Sequence, residues 1–387
     1  MINKTLYFCL LILVPIMLIG CAEQIEEPTK YATDHEGIQA AERQTKEIKR
    51  KETEITLAAI GDMLIHSPVY QDAKTKDGYD FTPMLSLVRP FLEDTTISIA
   101  NQETMIGGEE LGLSSYPAFN SPFEVGDALK SVGVDVVSLA NNHTLDRGEE
   151  AIQRAISHWE QIDMMYTGAY KNEKDRDSIR VYETEEGMSL AFLSYTYGTN
   201  GIPVPLEKAF LVNIIEKERM AAEIEEAKSK ADVIVLSLHF GNEYERMPNA
   251  EQKDLVQFAA DHGVHLVIGH HPHVLQPVDW VEGKDGNQTF VVYSLGNFLS
   301  NQDGLYKRIG GILQVTIAKT EEGRSKTIEV KQPTFIPTYV TRSEKHTNFK
   351  IVPMYQLSNS QLPGFVAYYQ EIKSHMSQWV PELKFVE

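Results

Sequence analysis

The chain has 387 residues, of which 42% are hydrophobic and 24% are charged, so it is long enough to bury one large core or two modest ones. Its formal net charge of -19 argues against nucleic acid as a partner and against polybasic attachment to anionic membranes. Any anionic substrate would therefore need a local positive centre, such as a metal ion.

The N-terminus has the pattern of an export signal. Lys4 precedes an apolar run from Leu6 to Ile19 that only Pro15 interrupts, and this run is short for a membrane-spanning helix. Residues 1–20 are therefore predicted to be a signal peptide. The segment Leu18-Ile19-Gly20-Cys21 resembles the lipobox of bacterial lipoproteins, which predicts lipidation of Cys21. An ordinary signal peptide or an uncleaved anchor with an incidental cysteine are the alternatives.

Residues 21–53 are predicted to be the lipidated cysteine and a flexible tether. Glu, Lys, Gln and Thr dominate this segment, and it has few large apolar residues to pack. The other cysteine, Cys9, lies inside the signal, so the mature chain would have no disulfide. We expect a protein held at the cell membrane by lipid, on the extracytoplasmic face.

From Ile55 onward, short apolar runs alternate with amphipathic stretches, which predicts an α/β domain over residues 54–345 with a C-terminal extension, 346–387, packed on it. The predicted strands are Ile55–Ile60, Thr96–Ala100, Val134–Leu139, Ser189–Ser194, Val233–Leu238, Val264–Ile268 and Phe290–Ser294. The predicted helices are Pro83–Leu92, Glu124–Val132, Glu149–Trp159, Glu207–Lys230 and Glu251–Ala260. Gly311–Ala318 and Lys326–Pro337 are predicted to form an antiparallel hairpin that completes a second sheet.

Polar residues follow six of the seven predicted strands. Ligands of open α/β sheets bind beyond the carboxyl ends of the strands, so these residues are expected to share one rim. They are Asp62 and His66, Asn101 to Glu103, Asn141 to His143 with Asp146, His239, His270 to His273, and Asn297. If the chain is extended at His271-Pro272-His273, both imidazoles point the same way and can share a metal.

Each of these residues also has a purely structural interpretation. A lone Asp after a strand usually forms a turn or caps a helix, and Asn141 and Asn142 could be turn formers. A lone histidine such as His239 is more often a structural residue, and His262 and His265 are assigned no function on this ground. The joint placement of the set at strand ends is what favours a functional site.

The order of these motifs resembles the CapA/PgsA family of poly-γ-glutamate capsule biosynthesis proteins, which is similar to calcineurin-like metallophosphoesterases. The resemblance covers roughly Ile55 to Ser300. Its most specific stretches are Ser138-Leu-Ala-Asn-Asn-His143, with Leu145-Asp146 and Gly148, and His271-Pro-His-Val-Leu-Gln276. It implies a four-layer α/β/β/α metallophosphoesterase-like sandwich.

The resemblance also implies roles for individual residues. His143 and Asp146 take the catalytic positions, His143 as the acid or charge stabiliser near the leaving oxygen. The implied ligands of a divalent metal (Mn, Fe, Zn or Mg) are Asp62, Glu103, Asn142, His239, His271 and His273. Leu64 occupies the position where phosphoesterases usually have a histidine ligand, and His66 is the candidate to replace it. Glu103 stands where Asp is usual, and Thr144 where a carboxylate is usual, so the number of metals stays open.

Two hypotheses follow from the resemblance. The chain is either a membrane-tethered factor of poly-γ-glutamate synthesis or export, or an active metal-dependent hydrolase of a phosphoester or a γ-glutamyl amide. The implied partners are capsule synthase or export components at the membrane, with poly-γ-glutamate itself as a further candidate. Nucleic acid is not expected as a partner, because the chain is strongly acidic.

Overall fold

The computed structural model describes residues 50–387. The predicted signal peptide, Cys21 and residues 21–49 of the predicted tether lie outside the described residues. The strands are β1 (Arg50–Met63), β2 (Ile97–Asn101), β3 (Val136–Ser138), β4 (Met165–Thr167), β5 (Arg180–Glu183), β6 (Ser189–Thr196), β7 (Val233–His239), β8 (Leu266–His270), β9 (Leu275–Glu282), β10 (Gln288–Leu295), β11 (Asn297–Leu299), β12 (Ile309–Glu322), β13 (Ser325–Thr341), β14 (Lys350–Pro353) and β15 (Lys384–Phe385).

The helices are α1 (Ser67–Asp72), α2 (Thr82–Leu85), α3 (Pro90–Glu93), α4 (Glu124–Ser131), α5 (Gly148–Gln161), α6 (Glu173–Arg176), α7 (Lys217–Lys230), α8 (Ala250–Asp261) and α9 (Phe365–Met376). Within residues 50–387, no helix combines the length and the apolar character needed to cross a membrane.

The strands form two sheets. The first has the order β14-β13-β12-β1-β2-β3-β4, with β11 paired to β1 and β15 paired to β13. The second has the order β5-β6-β7-β8-β10-β9. The predicted strands are therefore divided between two sheets, because an apolar run specifies a buried strand but not the sheet that it joins. The predicted antiparallel hairpin is confirmed as β12 and β13, and it pairs with β1 in the same sheet rather than in a separate one.

Alternate residues of the central strands face different cores, which gives the layers of the fold. Leu57 of β1 and Val235 of β7 lie in one core between the two sheets. Ile60 of β1 packs with α4 and α5 on the outer face of the first sheet. Leu236 of β7 packs with α7 and α8 on the outer face of the second sheet. The order of layers is helix, sheet, sheet, helix, as the family resemblance implies.

Two predicted helices are interrupted. The segment predicted as Pro83–Leu92 forms the separate turns α2 and α3, because Pro90 has no N–H to continue a helix and starts a new one. The segment predicted as Glu207–Lys230 begins with a short 3-10 turn, and Lys208 leaves the helical conformation. Regular helix begins only at Lys217, after Ile214 has formed a bridge with Thr196 of β6.

Both ends of the described chain join the first sheet. Strand β1 begins at Arg50, four residues before the predicted domain start, and Arg50 pairs with Glu322 of β12. At the other end, β14 and β15 both pair with β13. Ile372 and Met376 of α9 are buried in the core between the sheets. Residues 346–387 therefore contribute strands and core residues to this domain.

Candidate metal centre

The site lies where β1, β2, β7 and β8 end, and a close approach of two backbones shapes its floor. Strand β1 shifts register between Ile60 and Asp62, and Asp62 then pairs with Asn297 of β11. A Cβ atom at Gly61 would lie 2.0 Å from the carbonyl oxygen of Gly296, so only glycine permits this approach. The bulge places the Asp62 carboxylate at the rim of the sheet.

Asp62 is fully buried and surrounded by nitrogen atoms. Asn101 Nδ2 donates to its Oδ1 over 2.8 Å, and His273 Nδ1 lies 3.0 Å from its Oδ2. His270 Nδ1 lies 3.5 Å from Oδ1. Burial alone would raise the pKa of Asp62, but the contacts with His270 and His273 outweigh burial and hold that pKa well below its usual range. Asp62 is therefore a carboxylate with its charge preserved inside the protein.

Glu103 is equally buried, but within residues 50–387 neither of its carboxylate oxygens has a hydrogen-bond partner. Its Oε1 lies 3.7 Å from His273 Nε2 and 3.8 Å from His239 Nε2. Burial raises the pKa of Glu103 well above its usual range, and the charge of Asp62 adds to this effect while His273 opposes it. A buried carboxylate without donors is costly, so its surroundings fit a cation that would lie among these side chains.

Two groups of donors are close enough to hold a metal ion. One ligand atom each of Asp62, Glu103 and His273 lies within 4.8 Å of the other two, and the same holds for Glu243, His271 and His273. Carboxylate oxygen and imidazole nitrogen suit Mn, Fe or Zn, and the carboxylates also suit Mg. The donor set therefore fits the divalent metal that the sequence predicts, without selecting one.

A turn, and not the extended segment considered from the sequence, brings His271 and His273 together. His271 and His273 have positive φ angles of 95° and 57°, so the segment is a strained turn and not extended. Their rings nevertheless lie close, with centroids 5.9 Å apart. The turn, rather than alternation along a strand, brings the two imidazoles to one site.

The histidines differ in their preferred protonation. Burial lowers the pKa of His271 to about 3, with the charge of His273 adding to the effect, and burial lowers the pKa of His239 well below its usual range. Burial would also lower the pKa of His273, but the carboxylates of Glu103 and Asp62 raise it to about 9. His239 and His271 are therefore neutral, as metal binding requires, whereas a metal at His273 would replace a proton.

Asn142 and His239 lie side by side at the edge of the site. His239 Nε2 lies 2.9 Å from Asn142 Oδ1, and Asn142 Nδ2 donates to Asn200 Oδ1 over 3.2 Å. The other nitrogen of His239, Nδ1, is buried without a partner. The two predicted ligands are therefore in direct contact at hydrogen-bonding distance, and His239 lies next to Glu103.

His143 and Asp146, the predicted catalytic residues, form a buried pair beside these ligands. His143 Nδ1 lies 2.7 Å from Asp146 Oδ2, which also accepts a hydrogen bond from the backbone N–H of Phe119. The Phe119 ring packs edge-on against His143, with centroids 4.8 Å apart. Asp146 and Phe119 thus fix the orientation of the imidazole and leave Nε2 as its available nitrogen.

The structure places His66 apart from the two donor groups. His66 precedes α1, and its Nδ1 lies 3.0 Å from the carbonyl oxygen of Leu64 and 3.3 Å from the backbone nitrogen of Asn301. Phe119 packs against its ring, with centroids 5.2 Å apart. Burial lowers the pKa of His66 to about 4. These contacts occupy Nδ1, and His66 belongs to neither group of donors.

Other residues at the site were not assigned a role from sequence. Asn101 and His270 support Asp62, and both follow or end strands, so the strand-end rule contained them without ranking them. Glu243 lies in the loop after β7, and Asn200 lies in the loop after β6. No motif spacing in the sequence indicates Glu243 or Asn200, because their loops reach the site only when the sheet is assembled.

A model of the family described as "Bacterial capsule synthesis protein PGA_cap" matches residues 56–302. The chain is 29% identical over 267 residues to the capsule biosynthesis protein CapA of Bacillus anthracis, covering 66% of this chain and 62% of that protein. It is 30% identical over 196 residues to the PGA biosynthesis protein CapA of Bacillus subtilis (strain 168), covering 51% of this chain and 50% of that protein. The match thus spans between half and two thirds of these curated relatives.

Two solved structures are similar to the chain at low sequence identity. One is a putative 5'-nucleotidase from Staphylococcus aureus, with a TM-score of 0.41, 14% identity, and coverage of 82% of this chain and 58% of that one. The other is the calcineurin-like phosphoesterase YfkN from Bacillus subtilis, with a TM-score of 0.38, 15% identity, and coverage of 72% and 91%. The family match covers more than half of the chain and includes every strand end described above. The chain therefore belongs to the PGA_cap family of bacterial capsule synthesis proteins.

Proposed function

We propose that this chain acts in poly-γ-glutamate capsule synthesis or export at the outer face of the cell membrane, and that it requires a divalent metal at its strand-end site. The observation that carries the proposal is Glu103, a fully buried carboxylate with no donor, which faces His239 and His273 beside Asp62. Membership of the capsule synthesis family supports the pathway. The term PGA in the family description and in the name of the Bacillus subtilis relative supports poly-γ-glutamate as its product.

The metal would be held by Asp62, Glu103 and His273, with Asn142, His239 and His271 as the neighbouring donors. A divalent ion bound there supplies positive charge that polarises an ester, amide or carboxylate oxygen. In an acidic chain this charge would attract an anionic substrate to one point while the rest of the surface repels it. The site is therefore suited to a narrow contact with an anionic chain or end group.

Hydrolysis of a phosphoester or a γ-glutamyl amide is the second candidate function, and the His143–Asp146 pair favours it. Asp146 holds Nδ1 of the imidazole, so the imidazolium form of His143 can give its Nε2 proton to a leaving oxygen or nitrogen. The pair is nearly buried, with side-chain exposures of 7% and 2%. A buried, oriented imidazole of this kind is what general acid catalysis requires.

The test uses the full-length chain, expressed in a capsule-forming host that lacks its own copy. Metal content is measured by elemental analysis, and capsule output is measured as cell-associated poly-γ-glutamate. We expect Glu103→Ala to lose both metal and capsule, and the exposed Glu245→Gln to lose neither. A wild-type chain without metal under varied metallation, or full capsule output from Glu103→Ala, would refute the proposal.

The membrane attachment is tested separately. The lipobox-like segment ending at Cys21 supports a lipid anchor, so Cys21→Ser should release the domain or leave an unprocessed precursor. Fractionation of cells and lipid labelling measure both results. Unchanged labelling and unchanged membrane retention in the mutant would contradict the anchor, without affecting the metal centre.

A further inference from the structure

The ligand set that the sequence offers is one donor short, and a carboxylate outside that set lies close to two of its histidines. Leu64, which stands where a histidine ligand is usual, is an apolar core residue with 2% exposure. His66 has its Nδ1 at hydrogen-bonding distance from backbone atoms. Glu243, by contrast, offers an oxygen within 4.8 Å of ligand nitrogens of both His271 and His273. A missing imidazole can be replaced by a carboxylate, which binds the same divalent metals.

The backbone holds Glu243 at this position, although its side chain is exposed. The next residue, Tyr244, donates its N–H to the carbonyl oxygen of Pro272 over 2.7 Å, which ties the loop to the turn carrying both histidines. Gln276 Nε2 donates to the carbonyl oxygen of Glu245 over 2.8 Å on the far side. Tyr244 itself has a positive φ of 68°. A strained residue held between two hydrogen bonds indicates a loop with a fixed course.

The same loop is also fixed from the C-terminal part of the chain. Arg246 Nη1 lies 2.6 Å from Glu371 Oε1 of α9, and the Arg246 guanidinium packs over the ring of Tyr306 at 3.9 Å. The loop is therefore anchored at the three residues that directly follow Glu243, which restricts where the Glu243 side chain can reach.

A second, independent observation points to a ligand at this place. His271 is 4% exposed, and its Nδ1 is buried without a hydrogen-bond partner in the part of the chain that the structure describes. Its neighbours are the rings of Tyr197 and His239, with centroids 4.6 Å and 4.9 Å away. A buried imidazole nitrogen without a partner is unusual in a folded protein and is typical of a metal ligand.

We propose that Glu243 is a metal ligand, which completes with His271 and His273 an outer position for a divalent transition metal such as Zn²⁺ or Mn²⁺. This inference rests on the proposed metal centre, because His273 also belongs to the group formed with Asp62 and Glu103. The outer position faces solvent, since Glu243 is exposed. It is the side from which an anionic substrate would approach.

An exposed glutamate near histidines also has a simpler role, as a solvated surface charge. Glu245 provides the matched control for this alternative. It lies two residues further along the same loop, carries the same charge and is also exposed, but it belongs to neither donor group. Removing either charge changes the net charge of the loop equally, so only a ligand role makes the two substitutions differ.

The experiment titrates Zn²⁺ and Mn²⁺ into the full-length chain in competition with a chromophoric chelator, and records the visible absorption of the Co²⁺-loaded protein. The proteins compared are the wild type, Glu243→Gln, Glu243→Asp, Glu245→Gln and Glu103→Gln. We expect Glu243→Gln to weaken the affinity for one bound metal by at least about tenfold and to change the Co²⁺ spectrum. Glu243→Asp should restore part of the affinity, and Glu245→Gln should match the wild type.

The outcomes separate the two proposals. Equal affinities and spectra for Glu243→Gln and Glu245→Gln, with metal bound by the wild type and lost by Glu103→Gln, would overturn the role of Glu243 and leave the metal centre standing. A wild-type chain that binds none of the three metals would overturn both. Far-UV circular dichroism checks the fold of each variant, and both substituted glutamates of the loop are exposed, so neither change disturbs a core.

Discussion

His143 and Asp146 lie three residues apart at the site, and the contact of 2.7 Å between Nδ1 and Oδ2 fixes the imidazole without involving either metal-binding group. Proton transfer and metal binding are therefore assigned to different side chains. Asp146 also accepts the N–H of Phe119, so its own position is set by the backbone. This separation makes the two functions distinguishable by mutation.

We expect His143→Ala to keep its metal and to lose about 10²- to 10⁴-fold in the rate of hydrolysis of a phosphoester or γ-glutamyl amide, the usual effect of a positioned proton donor. Glu103→Ala should lose both metal and rate. Elemental analysis and a rate assay on the same preparations make the comparison. Loss of metal from His143→Ala would contradict the assignment, and a wild-type chain without hydrolysis would leave only the assembly role.

A second prediction concerns the contact between the two sheets. Lys319 of β12 donates to Asp232 Oδ2 over 2.7 Å and to the carbonyl oxygen of Gly187 over 2.6 Å. This buried ammonium therefore joins the first sheet to the residues that precede β6 and β7. Burial would raise the pKa of Asp232, but its hydrogen bonds with Lys319 and Lys326 lower it to about 2.

Lys319→Met should therefore lower the free energy of unfolding by about 2–3 kcal/mol, because it removes the buried ammonium that Asp232 Oδ2 and the carbonyl oxygen of Gly187 share. Lys326 also contacts Asp232, but 47% of its side chain is exposed, so Lys326→Met should change stability by less than about 0.5 kcal/mol. Urea unfolding measures both changes. Equal effects of the two substitutions would show that burial does not govern this ion pair.

A third prediction uses His265, which the sequence interpretation left without function. Its Nδ1 accepts the backbone N–H of Ile234 over 3.0 Å. Burial lowers its pKa to about 4, with Lys326 and Lys228 adding to the effect and Asp232 opposing it. The unfolded chain, with a histidine pKa near 6.5, then binds the extra proton between pH 4 and 6.5, so the folded state loses stability as pH falls through this range.

The expected loss is about 2–3 kcal/mol between pH 6.5 and 4, from the size of the pKa difference. In His265→Asn, the amide oxygen can accept the same N–H but does not titrate, so the variant should lose this part of the pH dependence. Chemical unfolding gives the free energy of unfolding of both proteins across this pH range. The difference between the two values cancels the contribution of the other titrating groups. Parallel pH profiles would mean that folding does not lower the pKa of His265.

The strand ends and their polar residues could be predicted because each central strand is a continuous apolar run and its end is marked by a change to polar residues. The strands that were missed are short or carry a proline, as in β4 and in β9 with Pro277. The division into two sheets was missed because strand pairing depends on contacts distant in sequence. Glu243 was missed for the same reason. Its loop is tied to the turn that carries His271 by the backbone hydrogen bond from Tyr244 to Pro272, which the sequence does not indicate.

The most direct prediction concerns Glu103. Its buried carboxylate should lower the free energy of unfolding without metal and raise it with metal. Burial raises its pKa, which means that the folded state disfavours the charged form that the unfolded chain carries at neutral pH. Glu103→Gln has nearly the same shape but no charge to bury. After removal of metal by a chelator, the variant should therefore be more stable than the wild type by about 1–3 kcal/mol.

With saturating Mn²⁺ or Zn²⁺ the order should reverse, because only the wild type gains the full stabilisation that ligand binding gives to a folded state. Thermal unfolding of both proteins, with chelator and with metal, measures the four midpoints. Glu245→Gln, which is exposed and outside the donor groups, should follow the wild type in both conditions. If the curves of Glu103→Gln do not cross those of the wild type, then Glu103 is a structural carboxylic acid, and the metal centre proposed here is wrong. A crossing would mean that the carboxylate is retained at a cost to the metal-free fold because the metal needs it.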